Sequence, residues 1–236
     1  MKKRVKALCG LAAVCLLLAA AVAFFPQRPA PAKEPSGDGK SLHEKNIVVT
    51  SEYPAFSSLA EMDDASTLVV YGKWGDFLGT YNVTRDEQDP SLESQDTYSE
   101  GRKYAFDVQQ VLSGDLDAES ITVGMKASDG VNFDGVELQV PSQYFYEPAS
   151  GEERVLFVQF DEATGLYYAA GTPWEIAVDQ GGALRLCRPG QKDKAEVEAQ
   201  TDSGTYRMTV HYSDAAGTED FVSSMTWEEL RSALAK

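Results

Sequence analysis

The sequence has few of the residue types that carry most enzymatic chemistry. Its 236 residues include two histidines and three cysteines. So few cysteines exclude a scaffold held by several disulfides, and two histidines exclude a zinc site built mainly from imidazoles. The glycine patterns of dinucleotide and nucleotide sites and the Gly-x-Ser-x-Gly elbow of α/β-hydrolases are absent. No cofactor and no metal site is therefore predicted.

Basic residues are also scarce. Lys and Arg number 21 against 37 Asp and Glu, which gives a formal net charge of −16 at pH 7. Four of the bases lie in the first 25 residues, which contain no acid, so 17 bases face 37 acids in the rest, a balance of −20. A surface of this charge repels phosphate backbones, so no nucleic acid partner is expected. Cations, basic peptides and neutral glycans stay open as partners.

The N-terminus has the pattern of an export signal. Lys2, Lys3, Arg4 and Lys6 precede an apolar run of 19 residues, 7–25. As a helix this run would be roughly 28 Å long, close to the hydrocarbon thickness of about 30 Å. It predicts either an uncleaved signal anchor or a signal peptide. The basic residues would stay in the cytoplasm, and the rest of the chain would lie outside.

The chain divides into three predicted segments. Residues 1–25 form the signal anchor or signal peptide. Residues 26–45 contain four prolines and almost no large apolar residue, which predicts a flexible tether. Residues 46–236 are predicted to form a single β-rich extracytoplasmic domain, with a polar surface loop over 189–204. The expected location is the cell membrane, with the C-terminal domain outside, or the medium if the first segment is cleaved.

Alternation of apolar and polar residues dominates the third segment. It is clearest over 104–108, 136–140 and 206–210. Turn residues separate eight or nine such short strands. Ser57 or Ser58 can cap an early helix, and Thr226 with Glu229 fits a capping box for a late one. The prediction is a mainly β fold, a small barrel or sandwich with a short N-terminal and a short C-terminal helix, preceded by a membrane segment.

Three segments of the chain resemble a known kind of domain. They are 104–114 (YAFDVQQVLSG), 151–157 (GEERVLF) and 171–178 (GTPWEIAV). In this order they are similar to exported or membrane-anchored β-domains of Gram-positive bacteria that look like OB-fold or netrin-like small barrels. The resemblance covers about 67–178 and implies such a barrel. The netrin-like inhibitors begin with a Cys that reaches a metal, and no Cys stands near the start of the exported part, so metalloprotease inhibition is not implied.

Cys187 is the single cysteine after residue 25 and the one specific candidate nucleophile. Sortase transpeptidases combine a membrane anchor, a barrel, a Cys, a His and an Arg, and Arg188 follows Cys187. They place Thr before the Cys and the His upstream inside the barrel, whereas here Leu186 precedes Cys187 and His211 follows it. A small buried hydrophobe is the preferred interpretation. An envelope enzyme that uses Cys187 or a carboxylate pair is the first alternative.

Aromatic residues in predicted turns and hairpins give the best indication of a binding surface. The candidates are Phe145, Tyr146, Tyr168 and Trp174. Aromatic side chains in loops stack on sugars or anchor peptides, although they can also close the ends of a barrel. We therefore expect a non-catalytic binding or interaction module that is held at the membrane through residues 7–25 and recognises an envelope protein, peptide or glycan. A structural accessory subunit of a membrane complex is the second alternative.

Overall fold

The computed structural model describes residues 41–50, 54–187, 192–213 and 219–235. The predicted signal segment and residues 26–40 of the predicted tether lie outside the described residues. Among the described residues, no helix has both the length and the apolar character needed to cross a membrane. Lys40–Lys236 group into one compact unit.

The described part of the chain contains twelve strands and two short helices, which confirms the prediction of a mainly β fold with a short helix near each end. In chain order the elements are β1 Ser41–Val49, α1 Leu59–Asp64, β2 Leu68–Asn82, β3 Glu100–Ser113, β4 Ser120–Lys126, β5 Ser128–Phe133, β6 Val136–Pro141, β7 Glu153–Asp161, β8 Leu166–Ala169, β9 Glu175–Val178, β10 Leu184–Cys187, β11 Lys194–Gln200, β12 Gly204–Tyr212 and α2 Trp227–Leu234.

The largest sheet has seven strands in the order β10-β9-β7-β2-β3-β4-β8. Strand β8 also pairs with β7, so β2, β3, β4, β8 and β7 close into a ring. All neighbours in the ring are antiparallel except β4 and β8, which run parallel and meet at Val123 and Tyr167. Strand β2 pairs with β3 along one edge and, over its first six residues, with β7 along the other; its register with β3 shifts at four places.

Strands β2 and β7 are buried on both faces. Leu68, Val70 and Leu156 belong to a core with residues of β3 and β4, on the inner side of the ring. Val69 and Val155, which alternate with them, belong to a second core with residues of α1, α2, β9 and β10. Side chains of a pleated strand point alternately to its two faces, and here each face of the sheet is covered by a core.

A third core lies between the hairpin β5–β6 and a three-stranded sheet of order β1-β12-β11. Strand β1 runs parallel to β12, and β11 runs antiparallel to it. Tyr206, Met208 and Val210 of β12 are buried there, so the predicted alternation over 206–210 marks a central strand. The His43 ring stacks on the Tyr206 ring with centroids 4.4 Å apart.

Two predicted boundaries differ from the structure. Strand β1 begins at Ser41, so the predicted end of the tether at residue 45 is too late. Pairing with β12 supplies backbone hydrogen bonds to β1, and only Ile47 and Val49 need to be apolar to join the third core. The predicted polar loop over 189–204 contains strand β11, Lys194–Gln200, because its small residues face the same core while its charged residues face solvent. Residues 188–191 lie outside the described part.

The capping box predicted at the start of the last helix is present. The Thr226 hydroxyl accepts from the Glu229 backbone N–H at 3.2 Å, and the Glu229 carboxylate accepts from the Thr226 backbone N–H at 2.8 Å. Leu230 and Leu234 of this helix are fully buried in the core outside the ring. The cap therefore fixes where an eight-residue helix begins and which of its residues enter the core.

We expect Thr226→Ala to lower the free energy of unfolding by about 1 kcal/mol, because the Glu229 backbone N–H loses its acceptor, the Thr226 hydroxyl. Urea denaturation of the full-length chain measures this. Ser224→Ala is the matched control, since the hydroxyl of Ser224 is exposed and makes no hydrogen bond within the described residues. Equal midpoints for the two variants would contradict the assignment.

Candidate functional site

Three of the four predicted aromatic residues line one cleft. Phe145, Tyr168 and Trp174 surround a cavity of about 120 Å³ at one end of the strand ring. Tyr168 comes from β8, Trp174 from the connection between β8 and β9, and Phe145 from the connection between β6 and β7. Tyr146 is not part of the lining, and its hydroxyl is directed at Glu175 instead. The ring of strands therefore brings together segments that are distant in sequence.

Each of the three aromatic rings is held by a specific contact. Trp174 is buried and meets Trp74 edge-on, with ring centroids 6.2 Å apart. The Tyr168 hydroxyl donates to Thr164 Oγ1 at 3.1 Å. The Phe145 ring lies under the Arg102 guanidinium, 5.1 Å from its centroid. Side chains fixed in this way lose little further conformational freedom when a ligand binds.

Glycines on β3 and β4 make room for the Tyr168 ring and for one further ring at the cleft, that of Tyr81. A Cβ at Gly124 would lie 2.6 Å from both Tyr168 Cε1 and Tyr81 Oη, and a Cβ at Gly101 would overlap the Tyr81 ring. The two tyrosines can therefore lie directly against these strands only because both positions lack a side chain. Tyr81 and Gly124 join the cleft lining, and neither stood out in the sequence.

The segment that connects β6 to β7 forms one wall of the cleft, and contacts on two sides hold it in place. Lys192 Nζ donates to the backbone carbonyls of Ser142 and Phe145 at 3.2 and 3.5 Å. Burial lowers the pKa of Lys192. On the other side of Phe145, the Tyr146 hydroxyl reaches Glu175 Oε1 and Oε2 at 2.6 and 2.5 Å. Phe145 is thus positioned by the bond from Lys192 to its carbonyl and by the anchoring of the next residue, Tyr146.

Glu175 is a fully buried carboxyl group at the start of β9. Burial raises its pKa to about 7, although the hydrogen bond from Tyr146 and the charge of Arg154 both oppose this rise. Arg154 Nε lies 3.5 Å from Glu175 Oε2, an ion pair without hydrogen-bond geometry. The same burial, with the nearby carboxylate, raises the pKa of Tyr146 far above its usual range. The Tyr146 hydroxyl is therefore a permanent donor to Glu175.

Cys187, at the end of β10, shares the surroundings of Glu175. Burial raises the pKa of its thiol to about 11, and the Glu175 charge adds to that rise, while Arg154 and Arg185 lower it. A nucleophilic cysteine needs the opposite shift. His211 lies on β12, in a different sheet from Cys187. Arg188 is outside the described residues.

The described part of the chain contains no group of three or more His, Cys, Asp or Glu residues that could hold a metal ion. No protein-family model, curated protein or solved structure matches the sequence or the fold. The site is therefore assigned from its geometry, and the aromatic cleft is the candidate.

We expect the stability of the protein to fall as Glu175 loses its proton. In the unfolded chain this carboxyl has a pKa near 4.5, and in the folded protein about 7. The folded state holds the proton more tightly, so this contribution is complete below about pH 4.5 and is lost as pH rises through about 7. Between pH 4.5 and pH 8 the loss amounts to about 3 kcal/mol.

Glu175→Gln keeps the site neutral at every pH and should remove that dependence. Urea denaturation of both proteins at pH 5 and pH 8 measures it, and the wild type should lose about 2–3 kcal/mol more than the variant over this interval. Parallel losses in the two proteins would show that the Glu175 pKa is not raised by burial.

We also expect Cys187 to react slowly. At pH 8 a thiol with a pKa of about 11 carries little thiolate, so alkylation by iodoacetamide should be at least roughly tenfold slower than that of a model thiol. Mass spectrometry of the peptide that contains Cys187 separates it from Cys9 and Cys15. Denaturation should restore the ordinary rate. A native rate above that of the model thiol would make the cysteine enzyme the leading interpretation.

Proposed function

We propose that the protein is a non-catalytic binding module of the bacterial cell envelope and that the cleft between Phe145, Tyr168 and Trp174 is its binding site. The observation that carries this proposal is the convergence of three aromatic rings, from separate segments of the chain, on one cleft. The N-terminal sequence pattern supports export, with residues 7–25 as anchor or signal peptide and a tether after them. The partner is an envelope component.

The strand order supports a comparison with OB-fold barrels. The ring β2-β3-β4-β8-β7 has five strands, and its first, third and fifth members in chain order contribute to the cleft lining or end beside it. Small barrels of this kind bind extended ligands across their strands and the loops at one end. We propose that the present ring is a barrel of that type, with its ligand at the end where β4 and β8 meet.

The lining favours binding over catalysis. Among the described residues that line the cleft there is no carboxylate, histidine or cysteine, so neither a cysteine nucleophile nor a carboxylate pair lies there. Its one charged residue, Lys126, forms an ion pair with Asp129 at 2.5 Å. Aromatic surface with few polar groups is the usual composition of a ligand cleft.

Phe145→Ala and Tyr168→Ala should each weaken binding to purified Gram-positive cell walls at least roughly tenfold, since truncation of an aromatic hot-spot residue costs about 2 kcal/mol or more. Co-sedimentation of the full-length protein in detergent, over a range of cell-wall concentrations, gives the apparent affinity. Phe160→Ala is the matched control, because Phe160 is exposed and contacts Tyr167 but does not line the cleft.

Circular dichroism and thermal unfolding establish that each variant keeps its fold. If Phe145→Ala and Tyr168→Ala stay folded and bind the cell walls as tightly as Phe160→Ala does, the aromatic cleft is not the binding site. If the wild type does not sediment with the walls at all, the envelope module itself is wrong.

A further inference from the structure

A second cavity, of about 630 Å³, adjoins the aromatic cleft. It lies where β1, β4, β6 and β12 end beside the hairpin β5–β6. Lys126, Ser142 and Tyr144 line both cavities, so the two share a wall. The larger one falls within the volume range of small-molecule sites. The two cavities are therefore adjacent, and an extended ligand that crosses this wall would reach both.

Gln143 lines the larger cavity, and its buried side chain carries an unpartnered acceptor. Its side chain is 5% exposed, and its Nε2 donates to the Ser213 carbonyl at 3.3 Å. Its Oε1 has no hydrogen-bond partner among the described residues. Buried carbonyl oxygens are nearly always paired, since leaving one unpaired costs free energy. A ligand that offers an N–H or O–H at this place would satisfy it.

Both cavities are electrically neutral in a protein of net charge −16. The charged residues of the larger cavity are Lys126 and Asp129, and these pair with each other. A phosphorylated or strongly cationic ligand would find no unpaired opposite charge there. The lining thus selects a neutral ligand that carries hydrogen-bond donors.

The size of the aromatic cleft limits what enters it. An apolar cavity of about 150 Å³ holds one benzene molecule, and this cleft is smaller, at about 120 Å³. The cleft has room for a short apolar group and not for a six-membered ring. The faces of Tyr168, Phe145 and Trp174 carry partial negative charge and attract the polarised C–H bonds of such a group.

We propose that the two cavities together bind a neutral, N-acetylated amino-sugar oligosaccharide. The acetamido methyl group enters the aromatic cleft, the sugar rings occupy the larger cavity, and Gln143 Oε1 accepts from a ring hydroxyl or the acetamido N–H. This inference rests on the proposed function, because it names the ligand class of the same site. It assigns Gln143 a role that the sequence did not suggest.

The test titrates full-length protein in detergent with four soluble probes by isothermal calorimetry. They are the trimer of N-acetylglucosamine, the corresponding glucosamine trimer, cellotriose, and an N-acetylated trialanine amide. We expect the acetylated trimer to bind at least roughly tenfold more tightly than each of the others. Equal affinity for cellotriose or the glucosamine trimer would overturn the role of the acetamido group. Equal affinity for the peptide would overturn the carbohydrate assignment.

Two variants locate the ligand. Gln143→Leu removes the acceptor and should weaken the acetylated trimer at least roughly tenfold, whereas Gln109→Leu, an exposed glutamine on β3 outside both cavities, should leave its affinity unchanged. Gly124→Ala, which projects a methyl group to within 2.6 Å of Tyr168 Cε1, should weaken the trimer as well. Unchanged binding in both site variants would overturn the proposed location.

The probe selectivity of the wild type decides the ligand class even if a variant does not fold. Cell-wall binding that depends on Phe145 and Tyr168, without preference for the acetylated trimer, would overturn this inference and leave the proposed function standing. If the protein shows neither cell-wall binding nor a preference for the acetylated trimer, both the proposed function and this inference are overturned.

Discussion

The hydrogen bond from Tyr146 to the buried carboxyl of Glu175 is the contact on which both cavities depend. Burial of a carboxyl group costs free energy, and the Tyr146 donor with the charge of Arg154 offsets part of that cost. Because Glu175 sits on β9 inside the protein, the bond fastens the β6–β7 connection to the sheet. Residues 142–145 of this connection line the cleft, the larger cavity, or both.

The closed strand ring supplies the rigid part of the site. Strand β2 takes part in two pairings and two cores, so its direction is fixed from both sides, and it ends near the cleft at Tyr81. Strands β3 and β4 have glycines, Gly101 and Gly124, at the positions that lie against the Tyr81 side chain. The cleft is thus shaped by backbone placement and by residues with no side chain, while the aromatic rings supply its surface.

Local patterns in the sequence predicted the mainly β fold and its two short helices. The alternation near Tyr104 and the capping box at Thr226 depend on neighbours in the chain, and both features are present. Strand β11 was missed because its alternation uses Ala and Val between charged residues, a pattern that also suits a surface loop. Its apolar face is buried only because residues of other strands, distant in sequence, form the third core against it.

The site was predictable only in part, for a related reason. Aromatic residues in hairpins and loops pointed to Phe145, Tyr168 and Trp174, which line the cleft, and to Tyr146, which does not. Adjacent residues of a loop can face different directions, and no local rule decides which one meets a partner far along the chain. Glu175 gave no signal because it is one of 37 acidic residues, and its burial arises from packing between distant strands.

The most direct measurement is a map of the bound ligand on the protein. Backbone amide signals of the isotope-labelled, full-length chain in micelles would be followed by NMR as soluble cell-wall fragments are added. The account predicts that the shifts cluster at residues 124–126, 142–145 and 168–174. Shifts centred on another face of the strand ring, or near Cys187 without the aromatic cleft, would contradict it.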